Sequence, residues 1–414
     1  MNPVTDERIV PVTMPKWGLS MRLGKITAWI VAEGDEVKAG DDLADIETDK
    51  ITGTLEAATP GTVRRIVARV GEDVPVSGTI ALIAPVGVSD ADLDAAVADA
   101  RAVIDAGVPE DADGAGAPVV QTADVRGRKV SFAGAGAGGD VVLLIHGFGG
   151  DRDSWLFLQE PLAARHQVYA LDLPGHGTSS KNLVAGAGPE TPAGAGPDAP
   201  AGAGPDAPPG TDAPPGPGDP AGLLADAVVG VLDAIPASRA HLVGHSMGGA
   251  VALAVAARDP RRIASLTLIA PSGFGRQINA GYLRGFADAQ TRRELKPLVG
   301  QLFADDKLVT RQVVDDLLAY KRLDGVEAAL HALVLMLLGG DEQRGDSAAV
   351  LAALGDAMPV TVVWGRQDQI IPAEQAQAVA GAVRYVIEGA GHMPHMERPV
   401  EVQTAIEDTI ARAG

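Results

Sequence analysis

The 414-residue chain contains no cysteine. Disulfides, thiolate metal sites and a cysteine nucleophile are excluded, and any thiol chemistry must use sulfur borrowed from a cofactor. Positive charge is scarce as well. Against 54 acidic residues stand 34 lysines and arginines, for a formal net charge of −20. That sign argues against nucleic acid or an anionic membrane surface as the main partner, since both are bound through basic patches. Long apolar runs are lacking: residues 332–338 form one of the longest, far too short to span a bilayer. The segment MNPVTDERIV at the start is polar and acidic, without signal-peptide character, so a cytoplasmic location is expected. No His/Asp/Glu cluster has metal-ligand spacing, and no catalytic metal is expected. What the chain does have is 46% hydrophobic residues and length enough for two or three domains.

Residues 9–84 read as short strands separated by Gly-containing turns. Residues 89–106 have helical character, with Leu93, Val97, Val103 and Ile104 near one stripe and Ser89 with Asp92 at the start. They are grouped with the Gly-rich 107–118 as a helix-plus-linker segment spanning 85–125. From 126 to 414, buried-type strands at 141–146, 166–172, 240–245, 263–270, 360–365 and 382–389 alternate with helical stretches. That rhythm predicts a doubly wound, mostly parallel sheet. Helical segments over 272–356 interrupt it and read as a cap. An eight-residue repeat (AGAGPETP, then AGAGPDAP twice) leads into a Pro-rich tail. With too little apolar content for a core, residues 183–220 read as a disordered insertion, most simply a tolerated low-complexity expansion.

The N-terminal segment is internally repeated. Residues 24–46 and 61–83 match at an offset of 37: Gly24 with Gly61, Ile26 with Val63, Gly34 with Gly71, Val37 with Val74, Leu43 with Ile80, Ile46 with Ile83. Two such halves, each strand, Gly-acid turn and strand, would bury their apolar faces as a small flattened barrel. Lys50 falls between the halves in Glu47-Thr48-Asp49-Lys50-Ile51, read as an exposed hairpin tip. Alone it would pass for an ordinary solvated lysine. With Met14-Pro15, Glu33-Gly34-Asp35 and Pro60-Gly61, however, the segment resembles the lipoyl domains of 2-oxo acid dehydrogenase complexes. Biotinyl domains carry Met on both sides of the lysine; here the neighbours are Asp49 and Ile51. The resemblance therefore implies covalent lipoate on Lys50 (N6-lipoyllysine), a swinging arm that supplies the missing thiol and tethers its acyl cargo.

In the second segment, Gly244-His245-Ser246-Met247-Gly248 follows a strand and precedes a helix-like run, as a nucleophile elbow requires. Asp368 follows the strand at 360–365, and His392 follows the last strand in Gly389-Ala390-Gly391-His392. Ser, acid, His is the chain order of the α/β-hydrolase superfamily, which residues 126–414 resemble outside the insertion. That resemblance implies a Ser246–Asp368–His392 triad and an oxyanion hole from the amides of Phe148, in His146-Gly147-Phe148-Gly149, and Met247. His395 is a rival base to His392. His245, His146 and Asp172 read as structural neighbours of the site, Trp155 and Phe157 as packing residues.

Lipoyl domains ordinarily precede an acyltransferase domain with His-x-x-x-Asp-Gly. The two Asp-Gly pairs here, Asp113-Gly114 and Asp324-Gly325, have Pro109 and Tyr320 where that motif has His. The pairing of lipoyl and hydrolase-fold domains instead resembles the dihydrolipoyllysine-residue acetyltransferase components of acetoin dehydrogenase (acetoin-cleaving) complexes. That implies transfer of acetyl from lipoyl-Lys50 to coenzyme A. It also implies a thiamine-diphosphate-dependent acetoin-cleaving partner, a dihydrolipoamide dehydrogenase and a homo-oligomeric assembly. A plain esterase or thioesterase docked through its lipoyl domain, and a carrier on a hydrolase-fold scaffold, are the competing readings.

Overall fold

The computed structural model describes residues 8–15, 23–47, 52–76, 78–106, 118–183, 220–305 and 308–414. The expected insertion falls almost wholly on 184–219 and most of the expected linker on 107–117, both outside the described residues. Among the described residues no helix is long and apolar enough to cross a membrane.

Among the described residues the N-terminal domain has eight strands: β1 (Val10–Thr13), β2 (Leu23–Trp29), β3 (Glu36–Val37), β4 (Asp42–Glu47), β5 (Thr52–Glu56), β6 (Gly61–Ile66), β7 (Asp73–Pro75) and β8 (Thr79–Ala84). They form two four-stranded sheets, β5-β4-β2-β7 and β1-β8-β6-β3. The repeat seen in the sequence is obeyed and elaborated: each half lends its short strand to the other, so that β3 pairs with β6 and β7 with β2. The two Gly-acid turns match in detail. Gly34 donates to the Val63 carbonyl and Gly71 to that of Ile26, both at 2.7 Å. The following carboxylates, Asp35 and Glu72, each accept an amide three residues back at 2.8 Å. Both glycines have positive φ (+99° and +83°), which explains why glycine recurs at this point of each half. Ile26, Ile46, Val74 and Ile80 fill one side of the core; Val37, Leu43, Val63 and Ile83 fill the other.

The helix α1 (Asp90–Ala106) is part of this domain, not of a linker. Leu93, Ala100 and Ile104 are buried against Ile9, Val67 and Ala68. Arg65 bonds Asp90 and Asp94, and Arg101 bonds Glu72 at 2.8 Å. The Ser89–Asp92 start forms as expected. The stripe differs in one place: Val103 is 53% exposed, and Ala100 takes the inward position.

In the C-terminal domain the strands are β9 (Val119–Val125), β10 (Arg128–Ala135), β11 (Val141–Ile145), β12 (Gln167–Leu171), β13 (Ala240–His245) and β14 (Ile263–Ile269). They are followed by the small hairpin β15 (Leu338–Gly339) and β16 (Glu342–Gln343), then β17 (Val360–Gly365) and β18 (Val383–Ile387). Eight of them form one sheet, β18-β17-β14-β13-β11-β12-β10-β9, parallel from β12 to β18. The hairpin β9–β10 is antiparallel and closes one edge, so this sheet begins at 119 and not at 126. Alternation is weak there, with four successive exposed residues at the start of β9; hydrogen bonds to β10, not periodicity, make it a strand.

The helices are α2 (Gln159–Ala163), α3 (Pro220–Ala234), α4 (Met247–Arg258), α5 (Ala280–Asp288), α6 (Arg292–Gly300), α7 (Arg311–Lys321), α8 (Val326–Leu337), α9 (Ser347–Leu354), α10 (Pro394–Glu397) and α11 (Pro399–Ala411). Helices α3 and α4 share one core with one face of the sheet; α2 and α11 cover the other face. The expected cap at 272–356 comprises α5 to α8, while α9 packs on α4 and so belongs to the layer beneath. Strand order reverses at β11, and the ends of β11, β13, β17 and β18 come together beside that switch point, where ligands bind in open α/β sheets.

Candidate functional site

Ser246 sits on the turn between β13 and α4 at φ +53° and ψ −117°, a conformation that is strained for any residue with a side chain. The turn is possible because glycines flank it. A Cβ on Gly244 would collide with the Gly248 carbonyl, and one on Gly248 with the carbonyls of Ile145 and His146. The Ser246 amide and carbonyl are tied down by Ile269 and Ser272. The side chain, on a residue only 9% exposed, faces a cavity of about 270 Å³ that it lines together with His392 and Phe148. Apolar cap residues, among them Tyr282, Phe286 and Leu317, close the cavity from above.

His392, on the loop after β18, is buried and bonds Asp368 Oδ2 through Nδ1 at 2.8 Å. A carboxylate only accepts, so Nδ1 donates and Nε2 is left for the cavity. The Asp368 side chain is fully buried, and its remaining lone pairs are filled. Oδ1 accepts the amides of Ile370 (2.8 Å) and Ile371 (2.9 Å), and Oδ2 accepts Trp364 Nε1 at 3.1 Å. A buried acid with this many donors is held in one orientation, and through it the imidazole is held too.

The structure separates His392 from its rival. His395 is buried, its ring packed at a tilt against Trp155 and His245 with centroids 4.8 and 4.6 Å apart. Neither of its ring nitrogens has a hydrogen-bond partner among the described residues. Burial, and then the neighbouring His392, push its pKa down to about 3. Among the described residues no carboxylate is hydrogen-bonded to it.

His245 has a more specific position than its neighbour status suggested. Its Nε2 donates to the His392 carbonyl at 2.8 Å, so the residue before Ser246 pins the histidine loop. Burial holds its imidazole well below the usual range. His146 and His176 order the loop after β11. Both are buried and shifted down by that burial. His146 accepts the Leu173 amide at Nε2 and donates from Nδ1 to the Gly147 carbonyl. His176 accepts the Gly149 amide at 3.2 Å. Asp172 accepts the Arg152 amide and guanidinium and the Thr178 amide, which makes it a loop fastener. The Phe148 ring packs edge-on to Phe286 at 5.7 Å. Met247 begins α4, so its amide has no partner within the helix and lies beside Ser246, at the lip of the cavity. Trp155 is fully buried, but Phe157 is 43% exposed and is not a core residue.

Several cavity residues escaped the sequence reading, and one of them is titratable beside the glycine loop. Asp151, just after His146-Gly147-Phe148-Gly149-Gly150, lines the pocket and caps the short turn at 152–155. Burial, and after it Asp153 and Asp172, push its pKa up to about 7. The signal available in sequence was its position directly after the glycine loop.

In the N-terminal domain, β4 and β5 stay paired as far as Glu47 and Thr52, leaving only residues 48–51 to connect them. Lys50 is one of these four and lies outside the described residues.

Comparison with known proteins agrees with this architecture. Residues 140–399 match the family described as alpha/beta hydrolase fold, and residues 10–83 match the biotin/lipoyl family described as biotin-requiring enzyme. The dihydrolipoyllysine-residue acetyltransferase component of the acetoin cleaving system of Cupriavidus necator is 45% identical over 94% of this chain and 94% of its own. Its counterpart in Pseudomonas putida is 42% identical over 95% of this chain and 96% of its own. Among solved structures, 2-hydroxy-6-oxo-6-phenylhexa-2,4-dienoate hydrolase from a Rhodococcus species superimposes with a TM-score of 0.57. It has 20% identity and covers 71% of this chain and 99% of its own. That likeness concerns the fold alone. A biotin/lipoyl domain followed by an α/β-hydrolase fold, matched along nearly the whole length of two relatives, places the chain in the family of dihydrolipoyllysine-residue acetyltransferase components of acetoin cleaving systems.

Proposed function

We propose that the chain moves an acetyl group from a lipoyl arm on Lys50 to coenzyme A, through an acetyl ester on Ser246. The observation that carries this reading is the convergence of Ser246 and the Asp368-held His392 on one apolar cavity. When present on Lys50, lipoate supplies the thiol that the cysteine-free chain lacks and brings the acetyl thioester as donor.

The chain's own groups then act in two half-reactions. His392 Nε2 takes the proton from Ser246 Oγ, which attacks the donor carbonyl. The carbonyl oxygen carries the developing charge against the Phe148 and Met247 amides. The carbon–sulfur bond breaks, and His392 returns its proton to the departing sulfur, leaving a free dithiol. Next His392 takes the proton of the coenzyme A thiol, whose sulfur attacks the Ser246 ester. The carbon–oxygen bond breaks and the proton returns to Oγ. Asp368 steadies the charged imidazole in both halves. The apolar cap keeps water from intercepting the ester, which distinguishes transfer from hydrolysis. A thiamine-diphosphate-dependent acetoin-cleaving component would load the arm and a dihydrolipoamide dehydrogenase would reoxidise it.

The test supplies acetylated dihydrolipoamide with and without coenzyme A. Acetyl-CoA from the wild type and none from Ser246→Ala is the expected result. Free acetate at the same rate in either condition would make the protein a hydrolase, and unimpaired transfer by Ser246→Ala would remove the ester from the pathway.

A further inference from the structure

A second cavity opens beside the first. This groove of about 990 Å³ lies along α6 and is lined by Arg292, Arg293, Lys296, Gln301, Phe303 and Gln369, among others. Three cations and no carboxylate among its described lining residues stand out in a chain with 54 acidic side chains against 34 basic ones. Two acids near the groove are already engaged, one at the start of α6 and one on Arg292 itself. Glu294 accepts the Gln290 and Thr291 amides, and Asp315 holds Nε and Nη2 of Arg292. Arg293 and Lys296 are exposed and have no acidic partner among the described residues.

The groove adjoins the catalytic cavity. Phe303 lines both. Gln369 of the groove sits between Asp368 and Ile370, the latter a lining residue of the cavity. The segment 302–304 presses on the histidine loop: Met393 donates to the Leu302 carbonyl, and a Cβ on Gly391 would meet the backbone of 302–304. Glu397 ties the two together by accepting the Ala304 and Gly391 amides at 2.7 and 2.6 Å.

We propose that this groove binds the phosphate-bearing nucleotide end of the coenzyme A acceptor, on Arg293, Lys296 and the outer edge of Arg292, with the thiol arm passing Phe303 to reach Ser246. The inference rests on the acetyl-transfer reading above. A long, concave, cationic groove suits a polyphosphate small molecule, since arginine and lysine make charge-assisted bonds to phosphate oxygens. An apolar threshold at Phe303 suits the uncharged arm that must cross into a dry cavity.

The experiment compares the full-length wild type with Arg293→Glu/Lys296→Glu and with the milder Arg293→Gln/Lys296→Gln. The donors are free acetylated dihydrolipoamide and, in a parallel series, the chain's own acetylated lipoyl arm; the acceptors are coenzyme A, its 3′-dephospho form and N-acetylcysteamine, which has no phosphates. The KM for coenzyme A should rise about tenfold or more in the charge-reversed variant and less in the neutral one, equivalent to losing charged hydrogen bonds. The KM for N-acetylcysteamine should stay, and the variant should lose preference for coenzyme A over the dephospho form. An unchanged KM for coenzyme A, or an equal rise for N-acetylcysteamine, overturns the proposal. So does a defect seen only when the chain's own lipoyl arm is the donor, because the groove would then dock the acidic carrier domain. A wild type that gives acetate and no acetyl-CoA instead overturns the transfer reading itself. Calorimetric titration with adenosine 3′,5′-bisphosphate reads the groove independently of turnover: binding by wild type and loss in the charge-reversed variant are expected.

Discussion

The two domains solve the problem of placing a functional group in opposite ways. In the N-terminal domain, two similar halves exchange their short strands β3 and β7, and the connection between the halves holds Lys50. All of that lies within about 75 residues of chain, matched by a family over residues 10–83. The C-terminal site is gathered from the ends of β11, β13, β17 and β18, and from a cap, with members from Gly147 to Met396. A carrier lysine, the role proposed for Lys50, needs reach and access, which a short connection between two paired strands can supply. A nucleophile, a base and an oxyanion site need mutual geometry held to a fraction of an ångström, which a packed parallel sheet supplies.

The largest effects should separate the two domains cleanly. Ser246→Ala is expected to lower acetyl transfer by about a thousandfold or more with any donor. Lys50→Arg should abolish transfer from the chain's own arm yet leave transfer from free acetylated dihydrolipoamide within about twofold of wild type, since the free donor does not depend on a modified Lys50. Rates with tethered and free donors check both; a fall of the Lys50→Arg rate with the free donor would mean that the domains are not functionally separable.

Within the catalytic domain, His392→Ala should match the loss in Ser246→Ala, because the two act as a unit. His395→Phe should keep nearly full activity and gain about 1 kcal/mol of stability, since it removes two buried nitrogens without partners. It should also soften acid unfolding. With its folded pKa at about 3, His395 is held below its ordinary value of 6.5. Its neutral form therefore supports the fold above pH 6.5, and that contribution is lost as pH falls toward 3. Urea titrations at pH 7.5 and 5 measure the slope; an inactive His395→Phe would reopen the choice of base.

Leu93→Ala tests the placement of α1. Leu93 is fully buried against the N-terminal core. Its truncation should destabilise that domain by about 2–5 kcal/mol and leave the catalytic domain's unfolding transition where it was, read by scanning calorimetry of the whole chain. A helix that merely bridged the domains would leave both transitions unmoved.

The smallest effect concerns Asp151. Its carboxyl is pushed up to about 7 from an ordinary 3.8. A raised acid favours the fold below pH 3.8, and that contribution is lost as pH climbs through 7, where the buried charge forms beside Asp153 and Asp172. Asp151→Asn should therefore be relatively more stable than wild type at pH 8.5 than at pH 5.5. Equal differences at the two values would remove the titration.

Legibility in the sequence followed the range of the interactions. The 37-residue repeat, the strand–turn–helix around Ser246 and the six core strands are local patterns, and each had a place in the fold. The edge hairpin β9–β10 was missed because its first strand shows no alternation and is defined by its partner. Helix α1 was read as a helix but set outside the first domain, because its inward face is partly alanine, whose burial depends on what it meets. Asp151, the bond from His245 to the His392 carbonyl and the α6 groove carry no motif, since each arises between segments far apart in the chain.

By itself, then, the sequence determined the two-part organisation, the absence of thiols, the lysine between the repeated halves and the order Ser246, Asp368, His392. Those follow from residue type and short spacing, where steric and hydrogen-bonding rules act locally. Only the tertiary structure decided which histidine meets Asp368, which halves exchange strands, where the sheet begins and where a cationic groove runs into the catalytic cavity. These depend on contacts between residues that the chain separates by tens to hundreds of positions, and packing alone brings them within bonding distance.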